Sequence, residues 1–199
     1  MVVMIEVAVL VIAYLLGSIP TALIMSRRVR GVDIRTLGDG NMGATNISRT
    51  LGQKLGITVG VLDCLKGALP VLLAYLLGFE LVWQLLTGIC AILGHDFPIF
   101  ARFKGGQGTA TSAGTMLVLF PLQTLPGLIL YGVLFLFIRK SPISAGIGGG
   151  LTALLLGLTQ QWILLAYCVG TFAFIPFKIS LDSHHRKAIE ATKLKETPI

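Results

Sequence analysis

The sequence GHDFPIFARFKGGQGTATSAG occupies residues 94–114 and lies between two strongly apolar stretches. It contains a histidine, an aspartate, two basic residues and a cluster of glycines, whereas the runs on either side are apolar enough to enter a bilayer. Hydrocarbon cannot satisfy polar side chains or irregular backbone exposed to lipid. The stretch therefore predicts a polar segment that dips into the membrane interface between two short apolar runs.

Composition places the whole chain in the membrane. Of its 199 residues, 54% are hydrophobic and 13% are charged, whereas soluble domains carry about 25% charged residues. The pattern predicts an all-α polytopic membrane protein that forms a single domain over residues 1–199, because no linker or internal repeat divides it. The net charge of +7 does not indicate a nucleic-acid partner, since the basic residues fall in the gaps between apolar runs.

The three cysteines give no sign of a disulfide or a metal centre. Cys64, Cys90 and Cys168 each lie inside an apolar run without metal-ligand spacing, which is typical of small buried side chains. The cysteines therefore indicate no redox or zinc role.

Seven apolar runs predict a bundle of seven transmembrane helices. The runs cover residues 4–24, 55–77, 81–93, 109–120, 122–138, 143–158 and 162–179. The third and fourth are shorter than the roughly 20 residues of a full crossing. The charged tail after residue 180 is expected to form a short helix on the membrane surface.

Basic residues between the runs predict the orientation, because Lys and Arg near span ends are retained in the cytoplasm. The first run has no basic residue before it and is expected to stay attached, with the amino terminus outside and the carboxyl terminus in the cytoplasm. The turns expected outside, residues 78–80, 121 and 159–161, contain no Lys or Arg. Lys66 lies well inside a run, whereas the segments and span ends expected on the cytoplasmic side contain all the other basic residues: Arg27, Arg28, Arg30, Arg35, Arg49, Lys54, Arg102, Lys104, Arg139, Lys140, Lys178, Arg186, Lys187, Lys193 and Lys195.

The first cytoplasmic segment, residues 31–56, has the composition of a phosphate site. Its glycines permit a backbone whose N–H groups converge, and polar side chains add further donors. An alternative is a long turn in which Thr45 or Asn46 caps the next helix. The residues concerned are Gly38, Gly40, Asn41, Gly43, Thr45, Asn46 and Arg49.

The opening stretch adds a second candidate anion site. Lys104 and three glycines, Gly105, Gly106 and Gly108, lead into an apolar helix, and the amino terminus of a helix attracts anions. The spacing is not that of a nucleotide P-loop. The alternative is close packing of helices through small residues.

Ionisable residues near these loops allow two interpretations each. His95 with Asp96 could accept a proton, or His95 could cap a helix or bind backbone. Asp63 and Lys66 lie three residues apart and therefore share one helix face. They could form a structural ion pair or contact a substrate.

Two further basic segments, residues 139–150 and 183–196, are predicted on the same side of the membrane. Together, the four segments predict a pocket that takes an anionic group from the cytosol while an apolar chain lies among the helices.

Four motifs resemble the bacterial acyl-phosphate-dependent glycerol-3-phosphate acyltransferases of the PlsY type. GDGNMGATNISRTLG at residues 38–52 is similar to that family's G-S-G-N-x-G-A-T-N-x-x-R, and residues 94–111 are similar to G-H-x-x-P-x-F-x-x-F-K-G-G-K-G-x-A-T. LDCLKG at 62–67 and HRKAI at 185–189 add to the match. The resemblance extends over nearly the whole chain.

The resemblance implies a seven-helix enzyme of the bacterial cytoplasmic membrane. Such an enzyme moves a fatty acyl group from acyl phosphate to the 1-hydroxyl of glycerol 3-phosphate and makes lysophosphatidic acid, without metal or acyl carrier. Its partners would be these two substrates and membrane lipids, with the oligomeric state left open.

The motifs suggest a role for each candidate site residue. Arg49 and Lys104 would neutralise substrate phosphates, and His185 would close the site from the tail. Asn41 and Asn46 would shape the site, and the backbone of residues 105–108 would receive an anionic oxygen. The other substrate-binding candidates are Gly43, Thr45, His95, Gln107 and Ser144.

Several positions depart from the family patterns. Asp39 replaces a serine, Gln107 a lysine and Ala188 an asparagine, and Gly146 stands where a serine is expected, although Ser144 could substitute. Losing one charged hydrogen bond costs roughly 1.5 to 3 kcal/mol, and an added carboxylate at Asp39 would repel phosphate unless it pairs with Arg49 or acts as a base. A divergent relative with altered or lost activity is therefore one alternative. A small membrane transporter of anions and a noncatalytic membrane partner are two others.

Overall fold

The computed structural model describes the backbone of residues 2–138 and 141–196, and the side chains of residues 3–138 and 141–182. Within these ranges every regular element is helical, which confirms the all-α prediction. The helices are α1 (Val2–Gly17), α2 (Thr21–Arg30), α3 (Ala44–Leu51), α4 (Gln53–Leu76), α5 (Leu81–Asp96), α6 (Thr109–Leu119), α7 (Pro121–Ile138), α8 (Ser141–Leu158) and α9 (Trp162–Glu196). Short 3-10 turns lie at Ile34–Thr36 and Ile99–Ala101.

The described chain has six segments that are long and apolar enough to cross a membrane. They coincide with six of the seven predicted spans, and the first is the pair α1 and α2 over Val3–Arg30. The remaining prediction corresponds to α6, whose 11 residues extend only about 16 Å. Because the hydrocarbon core is about 30 Å thick, α6 alone is too short to span it, so the count of seven is only approximate.

The carboxyl-terminal tail differs from its prediction as a separate surface helix. α9 runs without interruption for 35 residues, from Trp162 to Glu196. Residues 177–197 contain neither glycine nor proline, so no residue in this stretch favours a break between the span and the tail.

The break between α1 and α2 lies at residues 18–20. Pro20 has no N–H to donate to the preceding turn, which explains why α1 does not continue through it. Lys66 of α4 reaches this break, and its Nζ donates to the carbonyl of Ile19 at 2.9 Å. The unwound backbone is therefore satisfied by a side chain from another helix.

Glycines allow the helices around the break to approach closely. A Cβ on Gly67 would overlap the carbonyl of Thr111, and a Cβ on Gly114 would overlap the carbonyl of Cys64. The crossing of α4 and α6 thus brings the two backbones together, as small residues commonly do in membrane proteins. This contact holds the start of α6 beside the middle of α4.

The connection after α2 is fixed by Asp33. Its carboxylate accepts hydrogen bonds from the backbone N–H and the guanidinium of Arg35, and from Arg27 Nη2 at 2.8 Å. The hydrogen bonds from the Arg35 side chain, with help from Arg27, hold the pKa of Asp33 well below its usual range. The chain that leads to α3 therefore starts from an ordered turn.

The segment between α5 and α6 lies deep along α4. His95 near the end of α5 is 3.6 Å from Asp63, which is ten residues beyond the first residue of α4 and thus about 15 Å along its axis. The polar segment predicted to dip into the interface therefore reaches well inside the bundle.

Candidate active site

A cavity of about 520 Å³ lies where the two predicted glycine-rich loops meet. Its polar lining comes from these loops, from the helix ends beside them and from Asp63 inside α4, and its apolar lining comes from the faces of α4, α6, α7, α8 and α9. The polar lining includes Asp39, Asn41, Gly43, Thr45, Arg49, Asp63, His95, Gln107, Gly108 and Thr109, and the apolar lining includes Ile57, Val61, Ala113, Met116, Leu128, Ala145 and Phe172.

The loop before α3 turns at two glycines in the left-handed region, Gly38 with φ of 59° and Gly40 with φ of 72°. Between them, Asp39 accepts a hydrogen bond on Oδ1 from the N–H of Asn41 at 3.0 Å. This is the Asx turn that Asp and Asn side chains commonly form with the backbone two residues on. The departure from the family's serine thus has a local structural role.

The side chain of Asn46 holds this loop in place through three hydrogen bonds to its backbone. Its Nδ2 donates to the carbonyls of Leu37 at 3.0 Å and Asn41 at 2.9 Å, and its Oδ1 accepts from the N–H of Asp39 at 3.3 Å. Asn46 is buried and is not among the residues that line the cavity. Its side chain shapes the loop, while Asn41 lines the cavity.

Two helix amino termini face the cavity without a side-chain cap. α3 begins at Ala44 after Gly43, and α6 begins at Thr109 after Gly108; neither preceding glycine can offer a capping side chain. The alternative in which Thr45 or Asn46 caps α3 is therefore wrong. Uncapped N–H groups and the helix dipole make both ends favourable for an anion.

Only part of the second glycine loop lines the cavity. Gln107 and Gly108 do, whereas Gly105 and Gly106 pack against the end of α5. The N–H of Gly106 donates to the carbonyl of His95 at 3.2 Å. Lys104 is exposed and is not a lining residue.

Some of the remaining predicted site residues line the cavity and others do not. Arg49 and Thr45 line the cavity. Ser144 is buried within α8 and does not line it, whereas Ser141, one turn earlier, does. Gly146 lines a second cavity of about 500 Å³ between α8 and α9. The side chains of His185 and Ala188 fall outside the described residues.

Sequence reasoning did not single out Ser141 and Tyr131. Both line the cavity, and their hydroxyl groups lie 3.3 Å apart. The sequence does contain a signal for Ser141, which is a hydroxyl residue in a basic connection between two predicted spans.

The predicted ion pair between Asp63 and Lys66 is present, with Lys66 Nζ 2.9 Å from Asp63 Oδ1. Thr21 donates its hydroxyl proton to the same oxygen. The carboxylate nearest to the His95 imidazole is that of Asp63, at 3.6 Å, rather than that of its chain neighbour Asp96. Asp63 and His95 both line the cavity.

No group of three or more His, Cys, Asp or Glu side chains could hold a metal ion in the part of the chain whose side chains are described. Besides the carboxylates of Asp39 and Asp63 and the imidazole of His95, the polar lining offers amides, hydroxyls, the Arg49 guanidinium and helix N–H groups. The amides, hydroxyls, guanidinium and N–H groups commonly bind oxyanions in proteins.

The fold and the cavity define a polytopic membrane protein with an internal site that is polar at its loops and apolar among its helices. The family model described as glycerol-3-phosphate acyltransferase matches residues 7–192. The chain belongs to this family.

Curated relatives share much of the sequence. A glycerol-3-phosphate acyltransferase from Geotalea daltonii is 49% identical over 126 residues, which is 63% of this chain and 64% of the relative. One from Geobacter metallireducens is 53% identical over 122 residues, 61% and 62% of the two chains. One from Myxococcus xanthus is 43% identical over 147 residues, 73% and 76% of the two chains. The matches thus span slightly less than two thirds of the first two relatives.

Solved structures match over nearly the full length. A crystal structure of PlsY (YgiH), an integral membrane glycerol 3-phosphate acyltransferase in its glycerol 3-phosphate form, has a TM-score of 0.80 and 31% identity. The match covers 97% of this chain and 94% of that one. The lysophosphatidic acid form of PlsY matches with a TM-score of 0.77 and the same identity and coverage.

Replacing Asn46 with Ala should loosen the first loop. The change removes three hydrogen bonds in a buried position, and we expect the free energy of unfolding to fall by about 1 to 3 kcal/mol, measured by thermal unfolding in detergent. Ser48→Ala on the same short helix is the matched control and should have little effect. Equal losses for the two variants would contradict the role assigned to Asn46.

Proposed function

We propose that the protein transfers a fatty acyl group from acyl phosphate to the 1-hydroxyl of glycerol 3-phosphate, forming lysophosphatidic acid and phosphate. The observation that carries the proposal is the cavity, which combines uncapped helix amino termini and Arg49 with a wide apolar wall. Family membership and the PlsY structures in glycerol 3-phosphate and lysophosphatidic acid forms support it.

Phosphate groups would bind at the polar lining. The amino termini of α3 and α6 point partial positive charge toward the cavity, and Arg49 adds a full charge. Thr45, Asn41 and Gln107 supply further side-chain donors. Glycine at residue 43 lets an anion approach the backbone closely, whereas the space beside Gly108 is taken by the Asp96 carboxylate.

The acyl chain would lie against the apolar lining and reach it from the bilayer. Ile57 and Val61 line the cavity, and 59% and 53% of their surfaces are exposed. We infer that the cavity opens toward lipid beside this helix. A lipid-borne acyl phosphate could enter sideways, with its phosphate at the interface.

The reaction needs no nucleophile from the protein. The substrate hydroxyl attacks the acyl carbonyl, and the bond from the carbonyl carbon to the phosphate oxygen breaks. Arg49 and the helix N–H groups would stabilise the negative charge of the departing phosphate, which is how fixed dipoles lower such a barrier. Acyl phosphate already carries the activated bond, so no cofactor is required.

The substituted positions bear on activity. Asp39 and Gln107 both line the cavity, and the carboxylate of Asp39 is engaged by the Asn41 N–H in a turn that stabilises the loop. This contact supports an active enzyme whose phosphate site is arranged differently, rather than one whose loop is disrupted.

We place the protein in the bacterial cytoplasmic membrane as a multi-pass protein, with the amino terminus outside and the carboxyl terminus in the cytoplasm. The distribution of basic residues between spans supports this orientation. Residues from three of the four basic segments, among them Arg49, Gln107 and Ser141, line a single cavity.

Arg49→Ala should reduce acyl transfer by about 10- to 150-fold, because it removes a charged hydrogen bond to phosphate worth roughly 1.5 to 3 kcal/mol. The assay incubates purified protein with palmitoyl phosphate and labelled glycerol 3-phosphate and measures lysophosphatidic acid. Arg28→Ala, at the end of α2, is the charge-matched control. A wild-type rate no higher than that of Arg49→Ala would reject the activity, and counterflow of labelled glycerol phosphate in proteoliposomes without product would indicate transport instead.

Asp39→Ser should lower the KM for glycerol 3-phosphate several-fold, because it removes a negative charge from an anion site while serine can still bond the backbone two residues on. Asp39→Asn is the matched control, since it removes the charge and keeps the Asx turn. Steady-state kinetics of the wild type, Asp39→Ser and Asp39→Asn measure the KM for glycerol 3-phosphate in each protein. A rise in KM for both variants would show that the Asp39 carboxylate assists the reaction.

Cysteine labelling should place both glycine loops on the cytoplasmic side. In a background with Cys64, Cys90 and Cys168 replaced by Ala, Thr36→Cys and Lys104→Cys should react with an impermeant maleimide only in inside-out vesicles. Thr159→Cys should react only in right-side-out vesicles. Labelling of the two loop positions from opposite sides would refute the shared site.

A further inference from the structure

The second cavity, of about 500 Å³, lies between α8 and α9 beside the candidate active site. The residues that line this cavity alone come from these two helices, among them Ala153 and Pro176, and none carries a charged, hydroxyl or amide side chain. Gly146 and Gly150 on its wall are exposed, and a Cβ on either would meet no atom within 4 Å. This side of the bundle therefore has room for hydrocarbon.

The two cavities share a polar end. Their common lining includes a side-chain amide and two hydroxyl residues at the starts of α6 and α8, together with apolar neighbours. A chain whose phosphate is held at this end could therefore extend into either cavity. The shared residues at this end are Gln107, Thr109, Ser141, Pro142, Ala145 and Ile179.

The ring of Phe172 stands between the two paths further along α8. Phe172 and Gly149 line both cavities, and the ring lies so close to Gly149 that a Cβ there would overlap the ring carbons. On its other side α8 packs closely on α7, since a Cβ on Gly127 or on Gly148 would overlap the carbonyl of the other. Because α8 cannot move toward α7, the ring fills the space between α8 and α9 at this level.

We propose that the contact of Phe172 with Gly149 makes the enzyme select straight acyl chains over chains that bend near their middle. Gly149 lies eight residues beyond Ser141, which is about 12 Å along the helix. An extended chain covers this distance with roughly ten carbon atoms, given C–C bonds of about 1.5 Å. The inference rests on the proposed acyltransferase function and names the residue that sets its chain preference.

The physical basis is the shape of the space on each side of the ring. A straight chain continues past Phe172 within the first cavity. A cis double bond near the middle of a chain of sixteen carbons turns the chain at the depth of the ring, where a rigid side chain and a closely packed helix resist displacement. Removing the ring would join the two cavities at this depth and give the bent part of the chain room.

Two acyl donors measured on one preparation test the selection. The wild type should use palmitoyl phosphate with a kcat/KM about 10-fold above that for palmitoleoyl phosphate, which has a cis double bond near its middle. Phe172→Ala should bring the ratio of the two values close to one. The ratio does not depend on the fraction of protein that is folded, because both values come from the same preparation. A wild-type ratio close to one, or an unchanged ratio in Phe172→Ala, would overturn the proposal.

Phe174→Ala is the matched control. It removes the same ring from the same helix, where Phe174 contacts Phe97 and Phe177 and lines neither of these cavities, and it should keep the wild-type ratio. Phe172→Leu keeps an apolar side chain between α8 and α9 and should give an intermediate ratio. If Phe174→Ala changed the ratio as much as Phe172→Ala, general loosening of α9 would explain both, and the selective role of Phe172 would be rejected.

Ligand binding tests the preference without reference to catalysis. Hexadecyl phosphate and palmitoleyl phosphate carry the same two chains without the acyl bond. In detergent, the former should raise the midpoint of thermal unfolding of the wild type more than the latter at equal concentration, because the tighter ligand stabilises the folded state more. Phe172→Ala should lose this difference.

The binding and activity results separate the two proposals. Equal shifts of the midpoint in the wild type would overturn the inference about Phe172. A wild type that shows the binding preference but makes no lysophosphatidic acid from either acyl phosphate would count against the proposed function alone.

Discussion

Lys66 satisfies two groups that hydrocarbon could not, the Asp63 carboxylate and the carbonyl of Ile19 at the break between α1 and α2. An unpaired charge or carbonyl at this depth would cost several kcal/mol. Because one ammonium group serves both, the chain can interrupt its first span and keep an acidic group inside the bundle. The position of α2, the start of the first loop and the polar wall of the cavity all follow from this arrangement.

The two glycine-rich loops are held in place by different contacts, and both line the same cavity. Asn46 ties the first loop from beneath through three hydrogen bonds, while the second loop is fastened through its own backbone to the carbonyl of His95. Close packing of α4 on α6 then fixes the distance between them. Two helix amino termini are thereby brought to a single cavity, although the helices are far apart in sequence.

Much of this arrangement could be predicted from the sequence, because hydropathy and the placement of basic residues report directly on which segments enter lipid. The two glycine loops, the candidate lining residues Asn41, Thr45 and Arg49, and the ion pair between Asp63 and Lys66 were all recognisable. The short α6 was harder to judge, since a run of apolar residues does not reveal where a helix ends. The prediction of seven membrane spans for the chain is therefore only approximate.

Other features depend on side-chain direction, which the linear pattern does not contain. Asn46 turns inward to bind backbone, so its role as a loop anchor appears only in three dimensions. His95 points across the bundle to Asp63 rather than to its chain neighbour Asp96. Ser141 lines the cavity, whereas Ser144, one turn further along α8, is buried and does not; residues three apart lie near the same helix face, so the sequence alone does not distinguish the two serines.

Ile57 and Val61 line the cavity and are more than half exposed, and the opening toward lipid that we propose beside them bears on how a hydrophobic ligand would be supplied. A ligand that enters there arrives by two-dimensional diffusion within one leaflet. Occupancy then depends on the mole fraction of that ligand among the surrounding lipids, and diluting the protein and its membrane together in buffer leaves it unchanged.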